Sequence, residues 1–278
     1  MKLQVLLPVH TYPDGNTENI VLHSSTIARF LDADVHALVL DVDFPGVSSA
    51  LGDMIMDVPE LIAGVKAKSR ERGSALLHAL ESEFGPRAIK LRTTRIECFP
   101  GEAGDVVTGF ARYHDLVVAG IRSSDATSQA TAEATIFGSG RPTLLVPEEA
   151  SVATFEHVMI AWDGSRVAAR AVSDARDFLR LAKTVTIASV PDEKTLPEAD
   201  PGARLAEYLS HHEIQALVAQ IRGLGRPVAQ ALQEHAWEIG ASMIVMGGFG
   251  HSRMRDFVLG GATSGILKDL RLPVLMSH

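Results

Sequence analysis

The sequence predicts an α/β protein made of two tandem, doubly wound domains, each with a mostly parallel five-stranded sheet. Two observations predict it. Short apolar runs rich in Val, Ile and Leu recur along the chain, bounded by turn residues and alternating with helical patterns. Strands that are apolar throughout and alternate with helices belong in a parallel sheet covered on both faces. The chain also repeats itself. Segment 110-FARYHDLVVAG-120 matches 237-WEIGASMIVMG-247 as a helix end, a polar break and a strand ending in Gly. Likewise, 142-PTLLVP-147 matches 273-PVLMSH-278 as a strand opened by Pro. A repeat this long points to duplication of a whole domain rather than a solenoid.

Taken in order, the strands of the first half are 3-LQVLLPV-9, 35-VHALVLDV-42, 92-RTTRIECF-99, 115-DLVVAG-120 and 143-TLLVP-147. Those of the second are 157-HVMIAW-162, 184-TVTIASV-190, 213-EIQALVAQI-221, 242-SMIVMGG-248 and 274-VLMS-277. Helical patterns lie between most of them, among them 165-SRVAARAVSDARDFLRLA-182 and 227-PVAQALQEHAWEIG-240. In the latter, Val228, Leu232, Ala236 and Ile239 fall on one helical face. The insertion 43–80 ends in a pattern for a long helix. The seam is expected near 148-EEASVATF-155, giving domains 1–150 and 151–278.

Composition narrows the function classes. A net charge of −8 and no basic cluster longer than 70-RER-72 argue against a nucleic-acid surface. No apolar stretch approaches the roughly 20 residues that span a bilayer, so no membrane partner is expected. Cys98 is the only cysteine, which excludes an intrachain disulfide and a cysteine-based zinc site and fits a reducing compartment. The opening MKLQVLLPVH reads as a strand and not a signal peptide. A cytoplasmic protein is the expectation.

The chemistry is concentrated in 247-GGFGHSRMRDFVLGGATS-264, directly after the apolar run 243-MIVM-246. In an open parallel sheet, ligands bind beyond the carboxyl ends of the strands. A helix that follows such a strand presents unpaired N–H groups. Gly247 and Gly250 permit backbone conformations that a Cβ obstructs. Residues 251–259 fit a short helix, and Gly260 and Gly261 break it before 262-ATSGILKDL-270 begins. The spacing alone serves equally as strand-to-helix punctuation. It is neither a P-loop, lacking the Lys-Ser/Thr end, nor a G-x-G-x-x-G dinucleotide fingerprint.

The spacing Gly247-x2-Gly250-x9-Gly260, after a strand and before a helix, resembles the nucleotide loop of the universal stress protein family. Segment 159-MIAWDGSRVAARAV-172 looks like that family's first strand, acidic turn and first helix, and PVLMS like its final strand. The first half resembles a degenerate copy, as in tandem members. The resemblance implies a Rossmann-like five-stranded domain, with ATP, and Mg as its companion ion, held by some members. Carried across, Asp163 lies near the adenosine, Ala161 and Trp162 flank it, and Val190 touches the adenine. Met246, Gly247 and Gly250 border the ribose and phosphates, with Gly260, Gly261, Ala262 and Thr263 around the phosphate chain. His251, Ser252 and Arg253 are placed to reach phosphate oxygens. ATP-binding members usually carry Ser or Thr where Gly261 stands, and a lost hydroxyl costs about 0.5–1.5 kcal/mol.

Each of these residues has a plainer reading. Asp163 serves equally as a turn residue capping 165–182. Arg253 and Arg255 also fit a solvated helix face. His211 and His212 are adjacent and diverge on a helix, so they read as surface residues. Cys98 reads as a small buried hydrophobe. His10 stands roughly where the acidic turn would fall in the first half, Asp14 belongs to a Pro-Asp-Gly turn, and no glycine frame follows 115–120, so no ATP is expected there. The first half is then a packing partner completing an intrachain pseudo-dimer, with a homodimer through remaining edges compatible. The favoured function is an ATP-binding regulator or sensor in stress response. Two alternatives stay open: slow ATP hydrolysis or self-phosphorylation at Ser252, Thr263 or Ser264, and an interaction module that has lost its nucleotide. No catalytic base stands beside the expected phosphates.

Overall fold

The computed structural model describes residues 2–44, 58–123, 125–150, 154–190, 201–223, 225–248 and 261–278. The first half runs β1 (Leu3–His10), α1 (Asn19–Phe30), β2 (Ala33–Val42), α2 (Val58–Phe84), β3 (Leu91–Cys98), α3 (Ala103–Ala111), β4 (Leu116–Ile121), α4 (Ala126–Gly138) and β5 (Thr143–Pro147). The second runs β6 (His157–Ala161), α5 (Arg166–Asp174), α6 (Arg176–Leu181), β7 (Thr184–Ser189), α7 (Pro201–Ser210), β8 (Leu217–Gln220), α8 (Val228–Glu238), β9 (Met243–Gly247), α9 (Ala262–Lys268) and β10 (Val274–Ser277). The fold is the α/β, doubly wound one predicted.

The two sets of strands form one ten-stranded sheet, ordered β3-β2-β1-β4-β5-β10-β9-β6-β7-β8. Pairing is parallel within each half, and the halves meet antiparallel at β5 and β10, with Leu144 opposite Leu275. Each half thus has its strand order reversed about its first strand, which places a switch point between β1 and β4 and another between β6 and β9.

Alternation sends successive residues to opposite faces. Val5, Leu7 and Val9 join one core with Val158 and Ile160, while Leu6 enters another with Leu38 and Val107. The first core crosses the seam through Phe155, which is fully buried. Its ring lies 5.3 Å from Phe30 and 5.4 Å from Phe178, so the segment between β5 and β6 joins α1 to α6. On the opposite face, α4 and α9 share a core: Ala132 and Ile136 cluster with Ile266 and Leu267.

Two expectations are corrected. The helix expected over 165–182 divides at Ala175, although Ala175 N still donates to Ala171 O at 2.9 Å. Nothing in the local sequence marks that division. The strand expected over 213–221 is shorter, because Glu213 adopts φ +64 to turn out of α7 and only Leu217–Gln220 reaches β7. The seam segment is anchored at Glu148. This side chain is 1% exposed and accepts from Asn16 Nδ2, Thr17 N at 2.6 Å and Thr17 Oγ1 at 2.8 Å. Burial raises the Glu148 carboxyl pKa, and those donors pull it back.

Candidate functional site at the carboxyl edge of the second half

The adjacent strands β9, β6 and β7 end side by side, and the chain turns there. Trp162 N donates to Ala188 O at 2.8 Å, extending the β6–β7 ladder past Ala161. Asp163 Oδ1 accepts from Ser165 N at 3.0 Å, and Gly164 takes φ +68. The N-cap of α5 is Ser165, whose hydroxyl accepts from Ala168 N at 3.2 Å. Asp163 therefore shapes the turn without capping the helix, which corrects the capping alternative. It remains half-buried at the strand ends.

Val190 follows β7 and packs, with Ala161, against the core that holds Met246. Gly247 closes β9. A Cβ there would fall 2.6 Å from Ala168 N and 2.7 Å from Val167 C, so the first turn of α5 rests on bare backbone. Only glycine allows that approach. The crossover to β10 ends in α9, whose N-cap Gly261 (φ −61, ψ 147) offers no side-chain hydrogen bond to the helix amides. Ala262 is half-buried and Thr263 is buried in its first turn.

The structure thus brings Ala161, Trp162, Asp163, Val190, Met246 and Gly247 to one edge, with Gly261, Ala262 and Thr263 opening the helix that follows β9. Gly250, His251, Ser252, Arg253 and Gly260, together with the helix expected over 251–259, lie outside the described residues.

The sheet register identifies the matching positions in the first half. Val5 faces Leu116 as Val158 faces Met243, and five residues further along β1 and β6 stand His10 and Asp163. By the same steps Leu40 matches Val190 and Gly120 matches Gly247. The surroundings differ. The connection from β1 to α1 is longer than that from β6 to α5, so α1 stands back from Gly120. The Glu148 carboxylate, Asn16 and the tip of the Ile20 side chain occupy that space. At α4 the N-cap is Asp125, 4% exposed, whose Oδ1 accepts from Thr127 N at 2.9 Å. His10 is buried, and burial pushes its imidazole down to about 4. The pocket lined by His10, Tyr12, Leu40 and Thr127 holds about 20 Å³, room for about one water. Sequence reasoning singled out His10 but missed Asp125 and Glu148. The signal for Asp125 was available, since Asp directly before a helical run is an N-cap pattern.

Of the remaining candidates, Cys98 is buried at the end of β3, and burial raises its thiol pKa. His211 and His212 sit on the turn after α7, exposed and half-buried. Among the described residues no group of three or more His, Cys, Asp or Glu converges as for a metal ion, and no helix is long and apolar enough to cross a membrane.

Residues 154–278 match the model of the universal stress protein family. No curated protein matches the chain. Among solved structures, a universal stress protein from Archaeoglobus fulgidus DSM 4304 aligns with 99% of this chain and 96% of its own, at 18% identity and TM-score 0.71. A functionally unknown protein from Pseudomonas aeruginosa PAO1 aligns over 99% and 92%, at 16% identity and TM-score 0.61. A universal stress protein solved in complex with cAMP aligns with 45% of this chain and 99% of its own, at 20% identity and TM-score 0.35.

Proposed function

Residues 154–278 are a universal stress protein domain, and on that premise we propose that this chain is a cytoplasmic regulator that binds ATP at the carboxyl edge of its second half. The observation that carries the reading is the contrast between register-matched edges. The second half presents Asp163, Val190 and a Gly247 on which the first turn of α5 packs, where the first presents His10, Leu40 and a Gly120 backed by the Glu148 carboxylate. A buried carboxylate at the N-cap of α4 opposes a phosphate there, while the N-cap of α9, Gly261, brings no carboxylate. The residue set fits an adenine nucleotide: apolar Ala161 and Val190 for the base, Asp163 as acceptor for a ribose hydroxyl with Met246 bordering the ribose, and backbone amides for phosphates. Mg would accompany the phosphates. The first half then completes an intrachain pseudo-dimer, with its boundary near 150.

A bound nucleotide regulates only if it binds two surface states unequally. The direct test denatures the purified protein and chromatographs the supernatant, then titrates ATP into nucleotide-free protein. Co-purifying or rebinding adenine nucleotide, weakened by Asp163→Ala, supports the reading. Neither co-purification nor rebinding would favour an interaction module.

A further inference from the structure

The second half does not build its carboxyl edge alone. Gly248, next after β9, donates its N–H to Ser277 O at 2.8 Å, and its carbonyl accepts from His278 Nδ1 at 3.0 Å. A Cβ on Gly248 would fall 2.9 Å from Ile136 Cγ2, so α4 of the first half rests directly against this backbone. The adjacent Phe137 meets His278, with ring centroids 5.0 Å apart and planes at 61°. Aromatic rings in this T-shaped arrangement hold each other's orientation. Ala161, Val190 and Met246, the apolar members of the candidate site, share a core with Ala132 and Ile136 of α4.

We infer that α4 of the first half positions the nucleotide edge of the second, with Phe137 acting through His278 on the Gly248 backbone. The inference rests on the nucleotide reading above. Gly248 is held from three directions, by Ser277, His278 and Ile136, and the last two depend on α4. Without the Phe137 ring, His278 gains rotational freedom and the Gly248 carbonyl loses a fixed donor. A ligand must then order this edge as it binds, which weakens affinity. Phe137 is a positioning residue and contacts no ligand in this account.

The test uses the full chain with ATP as the probe. Phe137→Ala and His278→Ala are each expected to weaken ATP binding by about threefold to tenfold. The double variant should lose little more than either single one, because both act on one carbonyl. Phe137→Tyr, which keeps the ring, should bind as the unsubstituted chain does. Amide exchange without ligand gives a readout that does not depend on binding: the Gly248 N–H should exchange faster in Phe137→Ala. Equal ATP affinity in all variants, or unchanged exchange at Gly248, overturns the positioning role while leaving the function standing. An unsubstituted chain that binds no ATP overturns both.

Discussion

Two glycines of the candidate site should answer substitution in opposite ways. At Gly247 a Cβ meets the backbone of Val167 and Ala168, which cannot rotate away. Gly247→Ala should therefore cost about 1–3 kcal/mol, read as a lower midpoint in chemical denaturation. At Gly261 a Cβ meets nothing within 4 Å among the described residues, and φ −61 with ψ 147 is ordinary for a capping residue. Gly261→Ser should stabilise the protein by about 1 kcal/mol through a new cap. It should also raise ATP affinity by up to about tenfold if the hydroxyl meets the phosphates. A loss of stability in Gly261→Ser would contradict the open space at this position. The sequence showed that both positions were glycine and that a hydroxyl was expected at the second. It could not show which glycine is sterically required, because the atoms that crowd Gly247 come from a helix some eighty residues away in the chain.

At the scale of elements, β2, β3 and the turn before β4 are joined by a cluster around two buried histidines that should make stability depend on pH. Arg92 Nη2 lies 2.7 Å from His36 Nδ1 and 3.3 Å from His114 Nε2, and those two ring nitrogens are 3.0 Å apart. His114 Nδ1 donates to Phe110 O at 2.9 Å, and His36 Nε2 shares a hydrogen bond with Thr94 Oγ1 at 2.8 Å. The guanidinium charge beside both rings opposes their protonation. Burial pushes His36 down to about 4, with Arg92 and His114 adding to it, and burial also lowers His114. His10 is pushed equally low by its burial. Between about pH 6.5 and 4 the unfolded chain binds protons that the native state refuses, so stability rises with pH across this window. It should be complete above about 6.5 and fall as pH drops toward 4, measured by urea denaturation at stepped pH. His36→Gln should flatten that slope, and an unchanged slope would contradict the account. The central strand positions were legible because those strands, such as β1, β4 and β9, are apolar on both faces. The ends of β8 and the division at Ala175 were not, since Glu213 at positive φ and a break without Gly or Pro leave no local mark.

The whole molecule is one sheet with cores shared across the seam, and the halves should unfold together. Phe155→Ala removes the ring between Phe30 and Phe178 and should cost about 3–5 kcal/mol. Calorimetry of the unsubstituted chain should give a single transition, and two separate transitions would contradict a shared core. The repeat, the strands of each half and the matched places of His10 and Asp163 were readable in sequence, because duplication leaves matched patterns. The antiparallel join of β5 to β10, the anchoring of Glu148 and the contact of α4 with Gly248 were not, since each brings together residues remote in the chain. All three bear on the central claim, that one half holds an adenine nucleotide while the other supports it. Calorimetric titration of ATP into nucleotide-free protein tests this most directly, comparing the unsubstituted chain with Asp163→Ala. The account predicts one ATP bound per chain and at least about tenfold weaker binding in the variant. Two equivalent sites per chain, or none, would contradict it.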